Sequence, residues 1–165
     1  MMICDAKEFN ILGNENSKEL NNNKKLLDKI EKIRLLAGKK MGMGDVKGKV
    51  LPKVSLLSKS INENSIVSRY FTPYSCHETH AVTGTCCVAS SCLIPGTIGF
   101  NLLKKSESLD LKSEIIKIEH PMGTIDCSII LNSNFKNNLI SKKNLINSCG
   151  VYRTSRILMK GQVYF

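Results

Sequence analysis

Hydrophobic residues recur every three or four positions from residue 24 to residue 40, which is the spacing of one face of an α-helix. The pattern predicts an amphipathic helix over 24–40, and the glycine-rich stretch after it predicts a loop that runs to Pro52. Asp5 is a capping residue, so a short turn of helix is expected from there to Leu12. Residues 14–23 are rich in Asn, Glu and Lys and predict a solvated loop.

Alternating apolar and polar residues predict most of the strands, because successive side chains of a strand point to opposite faces of a sheet. A tight turn is expected at His120–Gly123, and a short helix is expected over Val151–Met159. The predicted strands are Met2–Cys4, Val54–Leu56, Ile66–Tyr70, Ile115–Ile118, Ile125–Leu131, 145–152 and Gln162–Phe165.

One segment, Thr79–Ile94, consists of small and apolar residues on every side and ends at Pro95. A helix that lacks a polar face is buried all round. We therefore expect a helix that begins near Thr83 and is almost wholly buried, with the strands wrapped around it. The predicted fold class is α+β, with a curled and mostly antiparallel sheet around a central buried helix.

Composition narrows the class of protein further. The chain has 165 residues, of which 42% are hydrophobic and 23% charged, so it is globular and has one domain or at most two small ones. No apolar run reaches the roughly 20 residues of a membrane helix, and the N-terminus lacks the pattern of a signal peptide. We expect a cytoplasmic protein without membrane contact, whose seven cysteines are reduced thiols.

The net charge of +10 raises the question of nucleic-acid binding. It comes from lysines scattered singly or in pairs, without an arginine-rich stripe, and the aromatic residues do not alternate with basic ones as a stacking platform requires. We predict no nucleic-acid binding. A preference for small anionic molecules fits the charge equally well.

Polar side chains crowd the residues that lead into the predicted buried helix. A helix N-terminus offers free N–H groups and the positive end of the helix dipole, which favour a carboxylate or phosphate. Helix capping by Ser and Thr is the simpler explanation, but this many polar residues exceed what one cap requires. The predicted ligand site consists of Ser75, Cys76, His77, Thr79, His80, Thr83, Gly84 and Thr85.

A zinc site is the main alternative for the same segment. Its candidate ligands are Cys76, His77, His80 and Cys86 or Cys87. A structural zinc site usually shows two paired ligand clusters, and this segment has only one. We therefore predict no metal at this segment.

Two further patterns in the sequence bear on ligand binding. Gly42, Gly44 and Gly48 resemble a dinucleotide-binding loop, but they follow a helix instead of a strand and their spacing differs, so they indicate a helix end. Arg153 and Arg156 lie one turn apart on the predicted last helix. Such arginines are either solvated or ion-paired, or they clamp a substrate carboxylate.

Six blocks of the sequence occur in an order that is more specific than any single block. They are Ile33–Gly42, Pro52–Val54, Cys76–Gly84, Ile94–Thr97, Glu119–Gly123 and Arg153–Tyr164. In composition and order they resemble the PrpF family, and the resemblance covers essentially the whole chain.

The resemblance implies both a fold and an activity. PrpF-like proteins share the diaminopimelate epimerase fold, in which two similar domains each curl a sheet around a central helix and the active site lies between them. They are cofactor-independent isomerases that move a proton between allylic positions of unsaturated di- and tricarboxylic acids, such as aconitate, methylitaconate and oxalomesaconate.

The resemblance also implies that this chain corresponds to only half of such an enzyme. Residues 1–161 are expected to form the second, C-terminal domain, and residues 162–165 a final strand that pairs with the missing first domain. That domain, which supplies a Lys and a Cys to the cleft, is expected to be absent or encoded separately. Because this apolar strand lacks its partner, we expect either that the tail is mobile in the chain alone or that the chain dimerises and aggregates through it.

By the same resemblance, residues 75–85 form half of a cradle for the substrate carboxylates. Cys76 or His77 would be the acid–base group of this half. Substrate would be bound by Ser75, Thr79, His80, Thr83, Gly84 and Thr85. The alternative functions are a catalytically inactive remnant and an anion-binding or interaction module.

Overall fold

The computed structural model describes residues 1–103, 113–132 and 145–163 of the chain. In this part of the chain six strands form one sheet, and their order across the sheet is their order in the sequence. The strands are β1 (Met2–Asp5), β2 (Val54–Lys59), β3 (Ser65–Phe71), β4 (Ser113–His120), β5 (Gly123–Leu131) and β6 (Ile146–Val151). The helices are a 3-10 helix (Ala6–Phe9), α1 (Ser17–Asn22), α2 (Lys24–Lys40), α3 (Val82–Leu93) and α4 (Ile98–Leu102).

The sheet is mixed and curls into a half-barrel, which confirms the predicted α+β class. β1 pairs with β2 and β3 with β4 in parallel, and the other three neighbouring pairs are antiparallel. Helix α3 packs against β4, β5 and β6 inside the curl. Val88, Ala89 and Cys92 of the helix share a buried apolar cluster with strand residues such as Ile116 and Ile129.

The composition of the central helix predicts burial on all sides, but the structure leaves part of it exposed. Its later turns are buried, but Val82, Thr83 and Cys87 near its start are exposed. A half-barrel covers one side of a helix and leaves the other open, so a helix without a polar face still has an exposed stripe. The prediction of an almost wholly buried helix is wrong for its first turns.

A second apolar cluster lies on the other face of β2 and β3. Val54, Leu56 and Phe71 point away from α3 and share this cluster with Leu26 and Ile30 of α2. Leu57, the next residue along β2, belongs instead to the cluster around α3. Successive side chains of β2 therefore contribute to the two clusters in turn. The predicted amphipathic helix over 24–40 is confirmed with these bounds.

The region before α2 contains one helix more than its composition predicts. Residues 17–22 of the predicted loop form α1, because Asn16 and Glu19 make a capping box in which each side chain accepts a hydrogen bond from the other residue's backbone N–H. The predicted turn of helix after Asp5 is present, and the Asp5 side chain caps it. It ends at Phe9, before Leu12, because Asn10 adopts a left-handed φ of 58°.

The segment after β6 differs more from the prediction. The helix predicted over Val151–Met159 is wrong, since residues 152–163 form neither helix nor strand. Ile157 and Leu158 are more than 80% exposed, and a short helix without a packing surface is unstable in water. Arg153 and Arg156 therefore do not share a helical face. Of the predicted last strand, Gln162 and Val163 lie in no strand and residues 164–165 lie outside the described part.

None of the described helices combines the length and the apolar character that crossing a membrane requires.

Candidate functional site

The first turn of α3 opens onto a cavity of about 150 Å³. Residues that line it include Lys53, Tyr70, Thr83, Gly84 and Cys87. No side chain caps the helix, whose N-cap residue is Ala81. The Ser and Thr residues nearby are thus not ordinary caps, and the first amides of α3, where the helix dipole is positive, have no side-chain cap.

A buried chain of hydrogen bonds supports this turn from behind. Oγ of Thr85 donates to the carbonyl of Ala81 at 3.0 Å, so Nδ1–H of His80 is the donor to Thr85 at 3.2 Å. Nε2 of His80 then accepts from the hydroxyl of Ser68 at 3.0 Å, and Ser68 accepts from Ser55 at 2.6 Å. Thr85, His80 and Ser68 each donate one of these hydrogen bonds and accept another, which orients His80 as the neutral Nδ1–H tautomer.

His80 is consequently a positioning residue, set back from the cavity. It is 2% exposed, and burial lowers its pKa to about 4. The ring of Tyr70 lies against it, with centroids 4.5 Å apart, and Tyr70 in turn lines the cavity. The predicted site residues His80 and Thr85 therefore hold Tyr70 and the start of α3 in place.

All three histidines of the chain lie at this end of the sheet. His77 is exposed, and its Nδ1 accepts a hydrogen bond from the backbone N–H of Thr79 at 3.0 Å. His120, at the end of β4, is half-buried. Burial lowers the pKa of His120, and the nearby positive charges of Arg69, Arg153 and His77 lower it further.

Cys76 lies elsewhere, in the apolar cluster around Phe71 on the other face of the sheet. Its backbone is held by Asn21, whose Oδ1 accepts from the N–H of Cys76 at 2.6 Å. Burial raises the pKa of the thiol to about 11, despite the nearby Arg69. The structure brings His77, Thr79, His80, Thr83, Gly84 and Thr85 to one end of α3, whereas it buries Cys76 and leaves Ser75 exposed beside it.

Lys53 and Tyr70, which line the cavity, and His120, which lies near His80, are not among the predicted site residues. The register of β2 and β3 pairs Ser55 with Tyr70, which brings Lys53 and Tyr70 to the same edge of the cavity. Lys53 and His120 do lie in two of the blocks that carry the family resemblance, and this is the one signal in the sequence that marks them.

A larger cavity of about 450 Å³ lies between the start of β5 and the segment after β6. Asp126 and Arg153 are its charged lining residues. None of its lining residues belongs to α3 or is a histidine, and its two charged side chains have opposite signs. We therefore place the candidate site at the first turn of α3.

Tyr70 occupies the space that a side chain at position 84 would need. A Cβ at position 84 would lie 2.6 Å from Cε2 of Tyr70 and 3.1 Å from Cε1 of His80. We expect Gly84→Val to lower the free energy of unfolding by about 2 kcal/mol and to shift the NMR resonances of Tyr70. Gly150→Val is the control, since a Cβ at Gly150 meets no atom within 4 Å. Equal stability of the two variants would contradict the close contact.

Comparison with known proteins places these features in context. The family model described as PrpF protein matches residues 1–165. The chain is 36% identical over 164 residues to YbhH of Escherichia coli K12, an alignment that covers 99% of this chain and 43% of that protein. It is 31% identical to a 4-oxalomesaconate tautomerase of Pseudomonas putida, covering 99% and 41%.

A solved structure shows the same relationship. The crystal structure of a methylitaconate-delta-isomerase matches with a TM-score of 0.69 and 27% sequence identity, over 91% of this chain and 42% of that one. The chain thus spans less than half the length of these relatives.

Proposed function

This chain belongs to the PrpF family, and on that premise we propose that it is one half of a cofactor-independent isomerase of unsaturated di- or tricarboxylic acids. The reaction would be an allylic 1,3-proton shift on an acid such as aconitate, methylitaconate or oxalomesaconate. The observation that carries the proposal is the uncapped first turn of α3 at an open cavity, beside Lys53. Relatives whose names describe isomerases and a tautomerase of such acids support it.

A 1,3-proton shift needs a base at one carbon, an acid two carbons away and donors that stabilise the carbanion between them. The negative charge of the carbanion spreads onto the adjacent carboxylate. The amides of Val82, Thr83 and Gly84 would hold that carboxylate, because they are preorganised and lack side-chain caps. The ammonium group of Lys53 would bind a second carboxylate of the substrate.

His77 is the proton-transfer group that we favour in this half of the site. It is exposed near Tyr70, with the two ring centroids 6.3 Å apart, and imidazole is the side chain most often used for proton transfer at neutral pH. Cys76, the other predicted candidate, is a buried thiol that stays protonated at neutral pH. The thiol of Cys76 would reach a substrate only if the apolar cluster around Phe71 opened.

The rest of the active site is proposed to lie outside this chain. A cavity of about 150 Å³ is small beside the roughly 300–1,000 Å³ of most small-molecule sites. A second domain, closing over the first turn of α3, would complete the cleft and supply the other proton-transfer group. In this proposal residues 1–161 form one domain, and residues 162–165 pair with the second.

Binding to this half of the site is testable on the 165-residue chain by NMR. We expect cis-aconitate at millimolar concentration to shift the amide resonances of Val82–Thr85, because free helix N–H groups bind carboxylates. Lys53→Gln should weaken this binding about tenfold, the effect of losing one charge-assisted hydrogen bond. Lys49→Gln, an exposed lysine of the same loop, is the control.

Amides that do not move, or that move equally with the neutral triamide of the same acid, would contradict the site. Turnover is tested separately, by co-expressing the chain with the N-terminal half of a PrpF relative and following exchange of carbon-bound protons with D2O. Aconitate binding without exchange in that complex would instead support the anion-binding module.

A further inference from the structure

Three cysteines distant in the sequence meet on the inner side of the sheet. Cys86 belongs to α3, Cys127 to β5 and Cys149 to β6. Their sulfur atoms all lie within 4.8 Å of one another, and those of Cys127 and Cys149 are 3.2 Å apart. Cys127 is buried and the other two are half-buried. The cluster lies apart from the cavity, none of whose lining residues belongs to it.

The strand register argues against a disulfide between Cys127 and Cys149. Cys149 lies directly opposite Ile129, so Cys127 is its diagonal neighbour. Diagonal residues of an antiparallel pair have Cα atoms about 7–8 Å apart, whereas disulfides span about 4.4–6.8 Å. A bound metal ion does not require the Cα atoms to come this close. Sulfur atoms that each lie about 2.3 Å from the metal are roughly 3.7–4.0 Å from one another.

We propose that Cys86, Cys127 and Cys149 together bind a thiol-seeking metal ion of the Cu(I) and Zn(II) class. Thiolate sulfur selects these ions over harder ones. Three sulfurs complete a trigonal site for Cu(I), while Zn(II) would add a water on the half-exposed side of the cluster. Each S–H that becomes a ligand releases its proton to solvent and its sulfur forms a bond to the metal, with no change in oxidation state.

The surroundings supply the conditions for a structural site. A thiol must lose its proton to become a ligand, so binding strengthens as the pH rises. Cys127 belongs to the apolar cluster around α3, and Cys86 and Cys149 pack against it. A bound ion would tie α3, whose first turn forms the candidate site, to β5 and β6. The inference does not depend on the proposed function.

The test is a titration of the reduced 165-residue chain with Zn(II), and under anaerobic conditions with Cu(I), against a chromophoric chelator. We expect one ion per chain and a higher midpoint of thermal unfolding when it is bound. Cys149→Ala should weaken binding more than about 100-fold, because even an outer residue of a metal site contributes 10–100-fold. Cys87→Ser removes an exposed neighbouring thiol of α3 and should leave the affinity unchanged.

The two ions are distinguished by X-ray absorption, which should show three sulfur neighbours alone for Cu(I) and three with one oxygen for Zn(II). Cys86→Ala is a second variant, should Cys149→Ala fail to fold. The proposal is overturned if both variants bind as the unmodified chain does, or if Cys87→Ser abolishes binding. A Cys127–Cys149 disulfide that forms in air and is not prevented by either metal would also overturn it.

Discussion

Replacing Arg34 by Met is expected to lower the free energy of unfolding by about 3 kcal/mol. The side chain of Arg34 is fully buried. It extends from α2 to the loop that follows this helix. Its guanidinium forms two bonds to the carboxylate of Glu31, and it donates to the carbonyls of Leu51 at 2.7 Å and Val46 at 3.0 Å. Methionine fills similar space but donates nothing to the carbonyl of Leu51 or to the carboxylate of Glu31, while the carbonyl of Val46 keeps the backbone N–H of Lys49. Glu31 is 22% exposed and regains some hydration, so we take the lower end of the range for broken buried pairs.

Urea denaturation measures this effect, and Lys32→Met is its control. Lys32 is an exposed cation on the same helix, so losing it should change stability by less than about 0.5 kcal/mol. Arg34→Lys should fall between the two, since an ammonium cannot reproduce the planar fork of the guanidinium. Equal stability of Arg34→Met and Lys32→Met would show that Arg34 does not hold the loop. Arg34 holds the loop through the carbonyls of Leu51 and Val46, so faster amide exchange in the loop should accompany the loss. Leu51 also lines the cavity.

Lowering the pH from 7 to 4 is expected to remove about 3 kcal/mol of stability through His80 alone. Burial lowers its pKa in the folded chain to about 4, whereas an unfolded histidine titrates near 6.5. Between these values the unfolded chain binds the extra proton, so the stabilising contribution is complete above pH 6.5. It declines as the pH falls toward 4 and changes no further below that. The half-buried His120 has the same sign, because its pKa is also lowered.

Comparison of His80→Gln with the unmodified chain isolates this contribution, since both carry the same carboxylates. Stability measured across pH 4–7 should fall more steeply in the unmodified chain, by about 3 kcal/mol in total. Titration of the His80 ring near pH 6.5, followed by NMR, would show that the buried hydrogen-bond chain is absent.

Local patterns were reliable where one strong signal covered the whole segment. Helix α2 has the bounds that its periodicity predicts, and the hairpin of β4 and β5 turns where His120–Gly123 predicts. The capping box of Asn16 and Glu19 was also readable in the sequence, yet the polar composition around it favoured a loop. The helix predicted over Val151–Met159 had no signal for what it would pack against.

The sequence predicts a ligand site at the start of the apolar helix, where the structure has the uncapped first turn of α3. The side chains of that prediction do not all lie together. Cys76, His77 and His80 are close neighbours in the sequence, yet the first is buried on one face of the sheet, the second is exposed and the third is buried behind the cavity. Side-chain direction in an irregular segment depends on what packs against it, and composition does not report that.

By itself the sequence determined the class of fold, the central helix and the family, because each of these rests on residues within one segment or on the order of segments. Only the tertiary structure decided which face of α3 stays open, that Lys53 and Tyr70 share its cavity, and that Cys86, Cys127 and Cys149 meet. These depend on strand register and on how far the sheet curls. Contacts between distant segments are set by the packing of the whole core, and no local pattern encodes them.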